Sequence, residues 1–379
     1  MTDSVAPGLS HVGLVSSALW TDFDQDGKVD LIVVGEWMPL TFFKNVGGRF
    51  VDVTRSTGLG DTRGWWNSIV AGDFNHDGRP DYIVGNLGLN TRYRATQREP
   101  VRVYVADFDQ NGTVDPVLSD YLQGEEYPVA SRDLMVDQMP GMAKRFPRYD
   151  DYAQATLERT LSRAERERAY TGTAVTFASA YLENRGNGKF ALRSLPLRAQ
   201  IAPVFGMLAG DYDGDGNLDV LLVGNSHAVD TQTGWDDASV GAVLLGDGTG
   251  QFRYMSGAAS GFYVDGDPKA VAELVLDDTH SLVLVTQNDD SLKVFAPSRR
   301  GRTRTVRVGA LDAYAVLTLA DGTTQREELY YGSGYLSQSS RFLRVPNQVT
   351  RVTVYDSRGR NRDLYRPLPP STASRRSVA

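Results

Sequence analysis

A nine-residue motif with oxygen-bearing side chains at positions 1, 3, 5 and 9 and glycine at position 6 occurs four times in this chain. Hard cations such as Ca²⁺ take about six to eight oxygen ligands, and carboxylates at alternate positions of a tight turn supply them. Without a cation, the like charges within one turn would repel each other strongly. The motif therefore predicts about four bound calcium ions with a structural role. The copies, called loops 1 to 4, are Asp22–Asp30 (DFDQDGKVD), Asp73–Asp81 (DFNHDGRPD), Asp107–Asp115 (DFDQNGTVD) and Asp211–Asp219 (DYDGDGNLD).

The predicted ligands are the side chains at positions 1, 3, 5 and 9 and the backbone carbonyl at position 7. Because only the carbonyl binds at position 7, the residue type there is free to vary. In loop 1 the ligand positions are Asp22, Asp24, Asp26, Lys28 and Asp30, and in loop 2 Asp73, Asn75, Asp77, Arg79 and Asp81. In loop 3 they are Asp107, Asp109, Asn111, Thr113 and Asp115, and in loop 4 Asp211, Asp213, Asp215, Asn217 and Asp219.

Two other interpretations of the motif are less satisfactory. An EF-hand needs a glutamate at position 12, where this chain has Val33, Val84, Leu118 and Leu222. Plain acidic turns rich in Asp and Gly do not require an oxygen at position 9.

Apolar, β-branched runs such as LIVVG and VLLVG follow the loops, which places each loop in a β-hairpin. A fifth unit without metal ligands runs from Pro268 to Phe295. Irregular copies of one strand-loop-strand unit are typical of a radial β repeat, so we expect an all-β propeller. Loop 3 starts 34 residues after loop 2, too few for four strands. Either one blade is abbreviated or loop 3 joins the outer strands of a blade.

Several stretches resemble the calcium-loop propeller repeats called FG-GAP or VCBS. Phe205-Gly206 ahead of loop 4 matches the name-giving pattern, and GEWMPL, GWWNSIVAGDF and GNLGLN are similar to bacterial relatives of cartilage acidic protein. The segment from Tyr331 to Gln338 resembles the ASPIC/UnbV module that follows such propellers. The expected organisation is a propeller over 12–296 with a helical insertion at about 130–172, an ASPIC/UnbV-like β module over 300–365, and a disordered tail over 366–379.

The resemblance implies structural calcium and a binding or adhesion role outside the cell, for a glycan or protein ligand. The formal net charge of −7 becomes about +1 once four Ca²⁺ ions are added, so acidity serves the metal sites and nucleic acid is not an expected partner. No stretch is apolar enough to span a membrane. Because MTDSVAPGLS lacks an apolar signal region, we expect a removed leader or a longer parent chain with further blades.

If the metal loops join first to second strands, they lie on one face of the propeller, and the segments that follow the second strands lie on the opposite face. We expect a ligand on that opposite face, because its aromatic rings could stack on sugar rings while neighbouring polar groups reach the hydroxyls. The alternative is that the tryptophans pack inside the fold. The predicted contact residues are Trp37, Trp65, Trp66, Asn67, Asn90, Arg92, Trp235 and Asp236.

We do not expect an enzyme, since no catalytic motif occurs. The alternative is a carbohydrate-active enzyme resembling propeller-type polysaccharide lyases, with the paired carboxylates Asp236-Asp237 and Glu125-Glu126 as acid and base.

The insertion contains DYAQATLERTLSRAERERAY, in which Leu157, Leu161 and Ala164 recur at helical spacing. This pattern predicts an amphipathic helix that acts as a lid or docking element, or else packs over a blade edge. Methionines between Asp133 and Tyr149 either form an adaptable contact surface or fill the core.

Overall fold

The computed structural model describes residues 2–229, 234–277, 280–297, 303–329, 331, 334–346, 348–356 and 358–365. These residues form a mostly β protein, which confirms the predicted fold class at that level. The tail at 366–379, predicted to be disordered, lies outside the described residues. Among the described helices, none has the length and apolar character needed to cross a membrane.

Helix α1 (Thr2–Val5) precedes the strands, which are numbered in chain order. The first seven are β1 (Leu14–Thr21), β2 (Asp30–Met38), β3 (Thr41–Val46), β4 (Arg49–Asp52), β5 (Gly64–Trp65), β6 (Ser68–Gly72) and β7 (Asp81–Gly85). Next come β8 (Val101–Ala106), β9 (Asp115–Leu122), β10 (Glu125–Pro128), β11 (Tyr170–Ala174), β12 (Ala180–Gly186) and β13 (Lys189–Ser194). Between β10 and β11 lie α2 (Arg132–Gln138), α3 (Met142–Arg145), α4 (Tyr149–Ala153), α5 (Leu157–Thr160) and α6 (Arg163–Arg168).

The second half continues with β14 (Gly206–Gly210), β15 (Asp219–Val223), β16 (Ala242–Gly246), β17 (Phe252–Ser256), α7 (Gly257–Ser260), β18 (Pro268–Val275), β19 (Ser281–Gln287) and β20 (Lys293–Phe295). The C-terminal module contains β21 (Thr303–Arg307), β22 (Asp312–Leu319), β23 (Thr324–Glu328), β24 (Phe342–Pro346), β25 (Val349–Asp356) and β26 (Asn361–Tyr365). Short 3-10 turns occupy Pro7–Leu9, Thr54–Thr57 and Leu197–Gln200.

Four antiparallel sheets, which we call the repeat sheets, follow one another along the chain. Their strand orders are β1-β2-β3-β4 (with β5 beside the end of β2), β6-β7-β12-β13, β14-β15-β16-β17 and β18-β19-β20. The first strands of successive sheets contact each other: β1 meets β6, β6 meets β14 and β14 meets β18. Ring closure, which a propeller requires, stays a prediction.

Separate apolar cores fill the spaces between neighbouring repeat sheets. Trp66, Tyr82 and Phe42 belong to the core between the first and second sheets. Val70 and Val220 belong to the next core, and Val223 and Val271 to the one after it. Because a sheet between two neighbours is covered on both faces, its central strands are buried along their whole length, as β7 and β15 show, and apart from the aspartate that begins each they contain no charged residue.

Loop 3 belongs neither to an abbreviated blade nor to the outer strands of a blade, so both alternatives inferred from the spacing are wrong. It joins β8 to β9 in a separate sheet of order β10-β9-β8-β11, which we call the inserted sheet. This sheet enters the chain between β7 and β12, the second and third strands of the second repeat sheet. The spacing of 34 residues reflects an insertion that interrupts the second repeat sheet.

The helical segment of the insertion is broken into short helices where one longer helix was expected. Thr156 and Ser162 stand at the N-caps of α5 and α6, and Ser162 forms a capping box with Glu165. The Ser162 side chain accepts the backbone N–H of Glu165, which satisfies a free amide and starts a new helix at α6, whereas the Thr156 side chain makes no capping hydrogen bond. Leu157 and Leu161 turn inward and are buried with Met135, Met139 and Met142, whereas Ala164 is exposed because it lies on the separate helix α6. The methionines therefore fill a core.

Candidate functional site

Each of the four acidic loops connects two hydrogen-bonded strands. The residue before position 1 pairs across the hairpin with the aspartate at position 9, as Thr21 does with Asp30 and Gly210 with Asp219. Gly72 and Asp81, and Ala106 and Asp115, pair in the same way. The hairpin thus brings the two ends of each nine-residue motif together.

Three backbone hydrogen bonds recur in all four loops. The amide of the glycine at position 6 donates to the carboxylate at position 1, with N···O distances of 3.1, 3.0, 2.9 and 3.2 Å from Gly27, Gly78, Gly112 and Gly216. The amide at position 5 donates to the side chain at position 3, over 3.3, 3.1, 3.1 and 3.1 Å. The amide at position 7 donates to the side chain at position 5, over 3.0, 2.9, 2.8 and 2.8 Å. These bonds fold each loop around its own side-chain oxygens.

In three loops, carboxylates at positions 1, 3 and 9 converge, with one oxygen of each within 4.8 Å of the others. The groups are Asp22, Asp24 and Asp30, then Asp107, Asp109 and Asp115, then Asp211, Asp213 and Asp219. Loop 2 has an amide, Asn75, at position 3, so it cannot form the same three-carboxylate group. A convergent oxygen cluster is the donor set that a hard cation prefers.

The aspartate at position 9 is buried in every loop. In the repeat sheets it accepts a backbone N–H from the third strand: Asn45 to Asp30 (2.7 Å), Asn184 to Asp81 (2.7 Å) and Gly246 to Asp219 (3.0 Å). Burial raises the pKa of Asp30 and Asp81 to about 7 and that of Asp219 to about 6. A buried carboxylate is costly when charged unless a partner compensates it.

Loop 1 contains two buried carboxylate oxygens for which the described residues offer no hydrogen-bond donor, Asp22 Oδ1 and Asp30 Oδ2. Asp22 is 3% exposed and Asp30 is 0% exposed. Since Asp22 and Asp30 belong to the same convergent cluster, these oxygens fit an oxygen-coordinated cation. The residues present therefore suit calcium.

The third strand contributes residues that the sequence analysis missed. Asn45 and Asn184 each donate their backbone N–H to the position-9 carboxylate. Each also donates its side-chain Nδ2 to the backbone carbonyl at position 8, over 3.0 Å from Asn45 to Val29 O and 3.1 Å from Asn184 to Pro80 O. A repeated pattern could have revealed them, because FKNVGGRF and LENRGNGKF both place this asparagine two residues before a hairpin glycine.

Loops 1 and 2 also have basic neighbours. Lys44 on β3 contacts Asp24 and lies 3.1 Å from Asp26 Oδ2, and Arg326 of the C-terminal module lies 3.2 Å from Asp22 Oδ2. Arg79 at position 7 of loop 2 contacts Asp77. His76 of loop 2 lies 2.8 Å from Asn217 of loop 4, so these two loops touch.

The predicted ligand-contact residues fall into three groups. Trp37 and Trp65 pack edge to face with centroids 4.9 Å apart, and Trp65 also meets Tyr93 at 5.6 Å. Arg92 lies over the Tyr93 ring, and Asn90 donates to Ile201 O at 3.1 Å. Trp66 and Asn67 are buried, at 0% and 6% exposure, so neither presents its side chain to a ligand on the surface. For Trp66 the packing alternative is what the structure shows.

Trp235 and Asp236 lie in the loop after β15, away from that aromatic group in sequence. Trp235 is 63% exposed and stacks on His227 with centroids 4.2 Å apart. Asp236 pairs through its backbone with Ser226. Of the carboxylates considered for catalysis, Glu126 forms an ion pair with Arg102, whose guanidinium nitrogen lies 3.0 Å from Glu126 Oε1. The same oxygen accepts a hydrogen bond from Ser119 Oγ at 2.7 Å.

Comparison with known proteins places a repeat in the N-terminal part of the chain. Residues 22–84, which contain loops 1 and 2, match the family model described as FG-GAP-like repeat. A stretch of 102 residues is 36% identical to cartilage acidic protein 1 of Xenopus tropicalis. That match covers 22% of this chain and 16% of the relative, so the chain matches a small part of the relative's length.

Among solved structures, the V. cholerae biofilm matrix protein Bap1 aligns with this chain at 12% sequence identity and a TM-score of 0.15. The alignment covers 93% of this chain and 72% of the Bap1 chain. A TM-score this low supports no argument about the fold.

Proposed function

We propose that this protein is a calcium-stabilised β-propeller of FG-GAP type that acts outside the cell as a binding or scaffold module. The supporting observation is the repeated loop architecture, in which identical backbone hydrogen bonds arrange carboxylates at positions 1, 3 and 9 around one point. Positions 1, 3, 5 and 9 would hold the ion with the carbonyl at position 7. Bound Ca²⁺ would neutralise the buried carboxylates and rigidify the hairpin.

The propeller is supported by the side-by-side contacts of the first strands of the repeat sheets. The C-terminal module lies against the same strands, since β23 contacts β6 and Ser340 N donates to Glu273 O on β18 at 2.8 Å. We propose that this module occupies the open side of the row of sheets.

The extracellular location is supported by the FG-GAP-like match and by the millimolar calcium concentration outside cells, at which oxygen-ligand sites of this kind would be filled.

Removing calcium tests the structural role of the metal. Ligands that bind only the folded state raise its stability by mass action, so the melting temperature should rise with calcium. Asp213→Ala should lower the melting temperature in millimolar calcium chloride and leave it unchanged in excess chelator. Asp237→Ala, an exposed carboxylate outside the loops, is the matched control and should change neither. Equal losses for Asp213→Ala in both conditions would contradict a structural metal.

We further propose that the exposed Trp235 ring contacts a glycan or protein ligand. A glycan array probed with the calcium-loaded protein should identify saturable binding that Trp235→Ala reduces at least tenfold, since stacked aromatic anchors dominate such contacts. Trp20→Ala is the control, because Trp20 is 44% exposed but lies beside loop 1. Binding retained by Trp235→Ala would remove this residue from the proposed site.

A further inference from the structure

Loop 1 differs from the other loops in the positive charge around it. Lys44 contacts Asp24 and Asp26, Lys28 lies 3.3 Å from Asp26, and Arg326 lies 3.2 Å from Asp22. Loop 2 has one such neighbour, Arg79. In the described part of the chain, no lysine or arginine forms an ion pair with the carboxylates of loops 3 and 4.

Two of these three basic residues, Lys44 and Arg326, come from outside the loop itself. Lys44 is on β3, immediately before Asn45, where the second and third repeat sheets have Glu183 and Leu245. Arg326 is on β23 of the C-terminal module, only 11% exposed, and also pairs with Glu328 at 2.9 Å. Both cations are therefore held by the tertiary structure and are particular to loop 1.

Loop 1 nevertheless retains the features of a cation site. Arg326 and the amide of Gly27 both reach Asp22 Oδ2, while Oδ1 of the same carboxylate is buried without a donor among the described residues. Asp30 Oδ2 is buried without such a donor as well. The cluster thus keeps free oxygens for an ion, although its carboxylates are partly neutralised by the protein.

We propose that loop 1 is the weakest calcium site of the four and that Lys44 and Arg326 set its low affinity. This inference rests on the calcium binding proposed above. An ammonium group on Asp24 competes with Ca²⁺ for that carboxylate and repels the ion. Oxygen cages bind calcium more tightly when they present more uncompensated charge, which favours loops 3 and 4. A unit charge a few ångströms from a divalent ion changes affinity by roughly tenfold or more, even at high dielectric.

Because Arg326 belongs to the C-terminal module, calcium at loop 1 and docking of that module are linked. A bound calcium ion and the Arg326 guanidinium would share the Asp22 carboxylate, so each should weaken the binding of the other, and this linkage is reciprocal. Calcium at loop 1 should weaken the hold of Arg326, and loss of Arg326 should tighten calcium binding there. Loop 1 would then be the site through which calcium concentration acts on the C-terminal module.

The test is a calcium chloride titration of the metal-stripped full chain, measured by calorimetry with competition against a chelator of known affinity. The wild type should show a weakest step separated from the tighter ones. Lys44→Gln and Arg326→Gln should each tighten that step at least tenfold, and Lys44→Arg, which keeps the charge, should leave it unchanged. Asp24→Asn should abolish the weakest step, whereas Asp213→Asn in loop 4 should abolish a tight one.

Circular dichroism of each variant provides a check on folding, and the charge-retaining Lys44→Arg provides a second one. Four indistinguishable steps, or loss of a tight step in Asp24→Asn, would overturn this inference and leave calcium binding intact. An unchanged weakest step in both Lys44→Gln and Arg326→Gln would overturn it too. Absence of any calcium binding would overturn the proposed function together with it.

Discussion

At the scale of single residues, loops 1 and 2 each bond an asparagine side chain from the third strand of their own sheet. Asn184 is fully buried, and its Nδ2 donates to Pro80 O at 3.1 Å and to Phe23 O at 2.9 Å. Phe23 lies in loop 1 and Pro80 in loop 2, so this one amide joins the loops of two neighbouring sheets. Asn45 plays the corresponding part in the first sheet, but only within its own sheet.

We expect Asn184→Ala to destabilise the fold more than Asn45→Ala does. The first substitution should cost about 1–3 kcal/mol for each buried carbonyl that loses its donor. Asn45 is partly exposed, so water can replace its bond to Val29. Urea denaturation of both variants in calcium measures the difference, and equal losses would show that the link between the sheets contributes nothing.

At the scale of elements, the sequence predicted the hairpins better than their connections. The strands after loops 1 and 4, β2 and β15, begin within one residue of the runs LIVVG and VLLVG that predicted them, because apolar runs ended by glycine define such strands locally. The inserted sheet was missed because its strands look like those of a blade. Only the strand pairing shows that β7 lies beside β12 in one sheet, with Val84 opposite Ala180. The separate start of α6 follows from Ser162 and Glu165, a capping pair that was visible in the sequence but outweighed by the apolar spacing.

At the scale of the whole molecule, the C-terminal module is tied to the repeat sheets by hydrogen bonds and buried ion pairs. The segment around Ser340 runs along β18, and Arg344 contacts Glu273 and lies 2.8 Å from Ser281 Oγ. The side chains of Arg344 and Glu273 are 14% and 6% exposed.

A cavity of about 240 Å³ lies between this module and strands β6 and β14. Burial raises the pKa of Glu327, which lines it, to about 7.

Arg344→Ala should destabilise the docked molecule by about 3–5 kcal/mol, because it removes one partner of a buried ion pair. Arg351→Ala is the control, since Arg351 is 50% exposed and its pair with Asp363 should be worth about 1 kcal/mol or less. Guanidinium denaturation measures both variants. If the two variants unfold at the same denaturant concentration, Arg344 does not hold the module in place.

Local sequence was enough to determine the oxygen positions of the four loops, the hairpins that contain them and the mostly β fold, because these features depend on residues within a few positions of each other. Tertiary packing determined which sheet each loop belongs to, which tryptophans are buried and which cations face loop 1. Those properties depend on contacts such as Arg326 with Asp22 and Asn184 with Phe23, whose partners lie 304 and 161 residues apart. Local pattern contains no information on such distant pairings, because they form only when the sheets pack together.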